Sequence, residues 1–163
     1  MKAKEVALIG LFVALTAIGA QIRIPLGPVP FTMQVFFVIL AGLILGARLG
    51  FISIALYDLL GALGLPVFAG MKGGLAVVIG PTGGYILAFP IASGIAGLGR
   101  GRLRVLTAYL GLAVIYFLGW AWLSRFLGPE KALKLGVLPF IAPDLAKVAL
   151  ALVVARRYER LKP

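Results

Sequence analysis

The chain has 163 residues, 62% of them hydrophobic and 13% charged, with a formal net charge of +11. A soluble domain carries about 25% charged residues, so the composition excludes a water-soluble globular fold and indicates an integral membrane protein. At this length it forms one domain, residues 1–163.

There is no Cys, His or Asn. Disulfides, thiolate chemistry and the usual proton shuttle and metal ligand are therefore unavailable, and neither a metal nor a cofactor is expected. The positive charge does not indicate nucleic acid. It lies in short clusters between apolar stretches, with no basic face interleaved with aromatics; such clusters set orientation and meet the head groups of a lipid bilayer.

Six apolar segments follow in chain order, predicting an all-α, polytopic bundle of six transmembrane helices. The first, 6–22, follows Lys2 and Lys4 and reads as a retained helix rather than a cleaved signal. Gly10 and Ala14 in the first helix, like Ala3 and Ala7 at its start, form small-xxx-small pairs, which permit close helix approach, either within the bundle or to a partner subunit. A Pro-rich connection, Arg23-Ile-Pro-Leu-Gly-Pro-Val-Pro-Phe-Thr, leads to segments 33–47 and 49–64, joined by a tight Gly46-Ala-Arg-Leu-Gly50 link. A long Gly- and Pro-rich connection carries Phe68, Lys72, Gly73, Gly74 and Gly80-Pro-Thr-Gly-Gly-Tyr85 into segment 83–98. Segments 105–123 and 137–155 complete the set, the last with Pro139 and Pro143 near its start. Proline fixes φ and glycine permits unusual φ, so the elaborate connections read as shaped loops.

Lys and Arg are divided unevenly. With six spans, one side holds Lys2, Lys4, Arg48, Arg100, Arg102, Arg104, Arg156, Arg157, Arg160 and Lys162, against Arg23, Lys72, Arg125, Lys131 and Lys134 on the other. The positive-inside rule places both termini in the cytoplasm and the shaped loops outside.

Asp144 and Lys147, in Pro143-Asp-Leu-Ala-Lys, are ionisable residues at the head of an apolar segment. Charges there are costly and face a cavity, a partner or a ligand. Three positions apart on a helix they share a face. They form either a self-neutralising ion pair or a grip for a small molecule with donors and a negative charge. Thr32 and Gln34 at the start of the second segment, and Thr82, Gly83, Gly84 and Tyr85 at the start of the fourth, reach the same depth. Each has an ordinary role as helix bonder, cap or interfacial aromatic, but together they suggest a pocket. Asp58, after Tyr57, is the other intramembrane acid. An aspartyl protease would need it to share a proton with Asp144, and Lys147 argues against that. A ligand-free structural or assembly subunit is the remaining alternative.

Ala-Leu-Thr-Ala-Ile-Gly-Ala-Gln-Ile with Ile-Pro-Leu-Gly-Pro-Val-Pro-Phe-Thr, Gly-Leu-Pro-Val-Phe-Ala-Gly at 64–70, Gly-Pro-Thr-Gly-Gly-Tyr at 80–85 and Asp-Leu-Ala-Lys resemble the BioY family over almost the whole chain. These are biotin-binding S components of energy-coupling-factor (ECF) vitamin transporters. The resemblance implies a non-enzymatic, multi-pass protein of the prokaryotic plasma membrane that captures biotin at its outer face. It also implies a transmembrane T component and a cytoplasmic ATPase pair as partners, docked through the small-residue face of the first helix. No Gly-x4-Gly-Lys-Ser/Thr loop is present, so ATP energy must come from another chain. By the resemblance, Asp144, Lys147 and Tyr85 hold the ligand. Phe31, Val67 and Phe68 could cover its rings. The family's site has an additional side-chain amide; lacking Asn, this chain would use Gln34 or backbone groups near Gly73 and Gly74. Asp144 can accept from the ureido N–H groups, and Lys147 either meets the carboxylate or polarises Asp144.

Overall fold

The computed structural model describes residues 1–162. Helix α1 spans Ala3–Gln21, and a short antiparallel hairpin of β1 (Arg23–Ile24) and β2 (Phe31–Thr32) follows it. Next come α2 (Gln34–Ala62), α3 (Leu75–Ile79), α4 (Gly83–Ala96), α5 (Leu103–Leu127), α6 (Pro129–Gly136) and α7 (Ile141–Arg160). A single 3-10 turn, Leu138–Phe140, joins α6 to α7.

Helix α2 is two antiparallel arms. Gln34 and Tyr57 are 23 positions apart, which along a straight helix is about 34 Å at ~1.5 Å per residue. Their side chains nevertheless meet at 2.8 Å. The chain reverses at Gly46, whose φ of 82° and ψ of 173° lie outside the helical region. With the two arms counted separately, six helices of the bundle remain besides the short α3 and α6, and six passes bring both termini to one end. The predicted segments at 33–47 and 49–64 are these arms.

Glycine sets the packing distance between α2 and α4. A Cβ on Gly42 would lie 2.0 Å from the Ser93 carbonyl oxygen, and one on Gly97 would lie 2.3 Å from the Ala47 nitrogen. Such contacts let backbones approach where no hydrophobic drive separates helix from lipid. Buried hydroxyls supplement them: Ser53 Oγ donates to the Ile9 carbonyl at 3.0 Å and ties the second arm of α2 to α1. Leu11, Ile18, Phe117, Leu150 and Val153 are exposed on the outside of the bundle, as surfaces that meet acyl chains should be.

The ends of the predicted segments shift for local reasons. Helix α5 runs beyond 105–123 to Leu127, where Gly128 takes φ 82° and Pro129 opens α6. Segment 137–155 begins as the 3-10 turn around Pro139, and regular α7 starts at Ile141. Pro143 falls in the first turn of α7, where its missing N–H costs nothing. Three small elements, the β-hairpin, α3 and α6, occupy connections predicted to be shaped loops. All three lie at the end of the bundle opposite the termini.

Gly42→Ala should destabilise the protein by about 1–3 kcal/mol, because the clashing atom belongs to backbone. At ~2–4 °C per kcal/mol for a chain of this size, thermal melting in detergent should drop by several degrees. Gly10→Ala, with nothing within 4 Å of the added atom, should melt like the parent.

Candidate ligand-binding site

The loop-bearing end encloses a cavity of about 460 Å³, within the usual range of small-molecule sites. Every helix except α1 contributes to the wall, α3 through Ala76 and Val77 and α6 through Gly136 at its end. The first connection supplies Arg23, Val29 and Thr32, and the start of α2 supplies Gln34 and Val35. Phe68 and Lys72 come from the third connection; Tyr85, Ile86 and Phe89 from α4; Ile115 and Tyr116 from α5; Phe140, Asp144 and Lys147 from the last turn and α7.

Asp144 and Lys147 are almost fully withdrawn from solvent, 3% and 6% exposed. Their position on successive turns of one face produces an ion pair, Nζ to Oδ1, at 2.7 Å. Tyr116 donates its hydroxyl to the other carboxylate oxygen, Oδ2, at 2.6 Å. Lys147 donates further to the Thr32 carbonyl at 2.6 Å and lies 3.8 Å from the centre of the Phe31 ring. The charges therefore neutralise one another and still line a cavity. A carboxylate offers about four lone-pair positions, so Asp144 retains acceptor capacity toward the cavity.

Gln34 Nε2 donates to Tyr57 Oη at 2.8 Å, while its Oε1 accepts from Thr32 Oγ1 at 3.0 Å. The Tyr57 hydroxyl in turn donates a hydrogen bond to the Val67 carbonyl at 2.8 Å. This chain of bonds links the start of α2 to the third connection. Phe68 packs edge-on against Tyr57, ring centres 5.7 Å apart, and occupies the space a side chain at Gly61 would need. Tyr85 crosses Gly119 and donates to the Gly136 carbonyl at 2.7 Å, fixing α4 against the α6 end.

Of the residues singled out from sequence, Asp144, Lys147, Tyr85, Thr82, Gln34, Thr32 and Phe68 line the cavity. Phe31 sits against Lys147 without forming its wall. Gly83 and Gly84 lie behind the cavity, packed tightly against Val78 and Trp122. Gly73 faces the Leu65 carbonyl, and the Gly74 amide donates to Gly61 at 2.7 Å, so these two brace the third connection. Thr82 occupies the N-cap of α4 but makes no capping bond with its side chain. Asp58 is outside the cavity.

Sequence reasoning missed Tyr116, Arg23 and Gln21. Tyr116 is one aromatic within an apolar helix, and nothing in its neighbours distinguishes it from packing. Gln21 donates to the Phe68 carbonyl at 3.0 Å and accepts from the Met71 amide at 2.9 Å, across 47 and 50 positions of chain. Only the fold reveals such pairings. Met71 itself has φ 57°, a left-handed conformation stabilised in part by that bond.

Apolar helices gathered around a largely apolar cavity with a few convergent polar groups define the architecture of a membrane-embedded small-molecule binder. The chain belongs to the BioY family, whose profile matches residues 1–163. It is 65% identical over 159 residues to the probable biotin transporter BioY of Pyrococcus horikoshii, covering 98% of each chain. Identity to the biotin transporter BioY of Thermotoga maritima is 45%, covering 94% of each. Among solved structures it matches the S-component for biotin from an ECF-type ABC transporter, with a TM-score of 0.89 and 28% identity. That match covers 99% of this chain and 96% of the other.

Tyr116→Phe removes a hydrogen bond to a buried carboxylate, a loss of about 1.5–3 kcal/mol. The ligand-free protein should melt several degrees lower. Tyr109→Phe, whose hydroxyl bonds an α7 carbonyl at an exposed position, should change melting much less.

Proposed function

We propose that this protein is the specificity subunit of an energy-coupling-factor transporter, binding biotin within the cavity at the extracellular face for uptake across the prokaryotic plasma membrane. The observation that carries the reading is the buried Asp144–Lys147 pair on the cavity wall of a chain so similar to named biotin transporters.

Biotin combines a ureido ring, with two N–H donors and a carbonyl, an apolar thioether ring and a carboxylate tail. The cavity offers a partner for each part. Asp144 retains acceptor sites for ureido N–H groups. Phe68, Val35, Ile86, Phe89, Ile115 and Phe140 supply apolar wall for the rings. Arg23, Lys72 and Lys147 outnumber Asp144 among the ionisable side chains of acid and base type along the wall, so an anionic tail is favoured. Gln34 supplies the side-chain amide in place of the absent Asn, and the charge-assisted bonds of Asp144 and Lys147 favour tight and selective binding.

With both termini cytoplasmic, the cavity faces outward. Ala3, Ala7, Gly10 and Ala14 are all exposed on α1, and nothing lies within 4 Å of a Cβ placed on Gly10. That face remains available to a transmembrane T component, which would connect the subunit to a pair of cytoplasmic ATPases. The protein binds and releases without covalent chemistry. Proteolysis by paired aspartates is disfavoured because Asp144 is engaged by Lys147 and Tyr116, while the buried Oδ1 of Asp58 has no hydrogen-bond partner among the described residues.

Biotin should stabilise the purified protein by about 2.7 kcal/mol at a hundredfold excess over Kd, read as a melting shift that a panel of other vitamins does not reproduce. Asp144→Asn or Lys147→Ala should weaken binding by more than ~10-fold in calorimetry, or at least ~1.4 kcal/mol. The double variant Asp144→Asn/Lys147→Met leaves no unpaired charge and should recover most of the stability lost by Lys147→Ala, yet still bind poorly. Full affinity in that double variant would reduce the pair to a structural role. Gly10→Leu should retain biotin affinity while losing co-purification with the T component.

A further inference from the structure

A second cleft, of about 330 Å³, opens at the termini end, far along the bundle from the ligand cavity. Its walls are Leu43 at the end of the first arm of α2, Gly99, Arg100 and Gly101 in the α4–α5 link, Arg104 in the first turns of α5, and Arg156 and Glu159 near the end of α7. Arg104 ties these elements together. Its guanidinium donates to Glu159 at 2.5 Å and to the Leu43 carbonyl at 2.8 Å.

Glu159 is the one acid in the cleft lining, and Arg104 engages it. Arg100 and Arg156 line the same space, and neither has an acidic partner among the described residues. The cleft thus holds an excess of two cationic charges over its acid. A Cβ on Gly101 would meet nothing within 4 Å, which leaves room above the backbone between the arginines. Leu98, Leu103 and Leu106, beside the cleft in sequence, are exposed.

We propose that this cleft binds the headgroup phosphate of an anionic phospholipid, with the acyl chains lying along the exposed leucines. Arginine is suited to this task because its planar fork presents paired donors to phosphate oxygens and is weakly hydrated. An exposed apolar margin next to a cationic concavity matches a ligand that is anionic at one end and hydrocarbon at the other. Free phosphate satisfies the first feature but makes no use of the second. A generic basic end would also attract anionic membrane, but without a stoichiometric site. Arg104, held in place by two elements, makes a fixed wall instead of a solvated brush.

The test uses the full chain in neutral detergent, titrated with phosphatidylglycerol, with phosphatidylcholine of the same acyl chains, or with inorganic phosphate. Native mass spectrometry counts bound lipid, melting reads stabilisation, and biotin affinity is followed in parallel. The expected result is one tightly retained phosphatidylglycerol and a melting rise that phosphatidylcholine and millimolar phosphate do not give. Arg100→Gln/Arg156→Gln should weaken that binding at least about tenfold, Arg100→Lys/Arg156→Lys, which keeps the charge but loses the paired donors, should weaken it by a smaller factor, and biotin affinity should be unchanged in both. Equal binding of the two lipids, or undiminished phosphatidylglycerol binding in the glutamine variant, overturns the proposal. A full shift from inorganic phosphate alone assigns the cleft to a soluble anion and overturns the lipid. Parent-like lipid binding with loss of partner-subunit assembly in the glutamine variant makes it a protein interface, and the lipid proposal falls.

Discussion

The constraint on which the rest depends is the cost of holding Asp144 and Lys147 away from water. Removing an ion from solvent costs several kcal/mol even after a protein relaxes around it, and mutual attraction offsets this only with good geometry and further hydrogen bonds. Here the geometry comes from a single helix turn, and the further bonds come from other helices: Tyr116 from α5 and the Thr32 carbonyl from the first connection. The pair is therefore a knot between α7, α5 and the hairpin that leads into α2. Its satisfaction requires the bundle to be assembled. Because both groups also form cavity wall, a ligand that engages them acts on a joint between elements and not on an isolated side chain.

Around that joint, small residues and polar bonds do different jobs. Toward the termini end, glycine-to-backbone contacts between α2 and α4 fix the helices at short range. Toward the cavity end, the helices are held apart, and the space is bridged by side chains that reach backbone carbonyls. Tyr57 reaches Val67, Tyr85 reaches Gly136, Trp122 reaches Gly80 and Gln21 reaches Phe68. Each bond satisfies a carbonyl of a loop or, at Gly136, of a helix end, where irregular backbone at membrane depth is tolerated only when buried in protein or lining a cavity. The loops can then be non-helical and still rigid, as a binding site needs.

Much of this was legible in the sequence. Hydrophobic segmentation located the six helices because apolar length is a direct consequence of bilayer thickness. Asp144 and Lys147 stood out because charge is rare in such segments, and Thr32, Gln34, Thr82 and Tyr85 because polarity marks segment ends. Illegible were the contacts whose partners are remote in sequence and whose residues are unremarkable in place. Tyr116 is indistinguishable from packing until α5 lies beside α7. Gly83 and Gly84 read as backbone for a ligand, whereas their bareness serves Trp122 and Val78. Gly73 and Gly74 similarly brace a loop against Gly61 and Leu65. A glycine's purpose depends on what comes close to it, and sequence alone does not contain that distance.

The two ends of the molecule also handle charge by opposite means. At the cavity end the acid and the ammonium are enclosed together, so their field is short-ranged and available only to something that enters. At the termini end most cations are left exposed, and the acid Glu159 is matched to Arg104, which leaves Arg100 and Arg156 without a counter-charge among the described residues. Exposed charges are screened within about 8 Å at physiological salt, so such an excess acts only at the surface where it sits. An enclosed pair can be engaged only by a small molecule that replaces or extends its hydrogen bonds. An exposed excess anchors and orients the protein toward whatever anionic surface it touches. The same apolar bundle can carry both because its length keeps the two sets of charges at opposite ends.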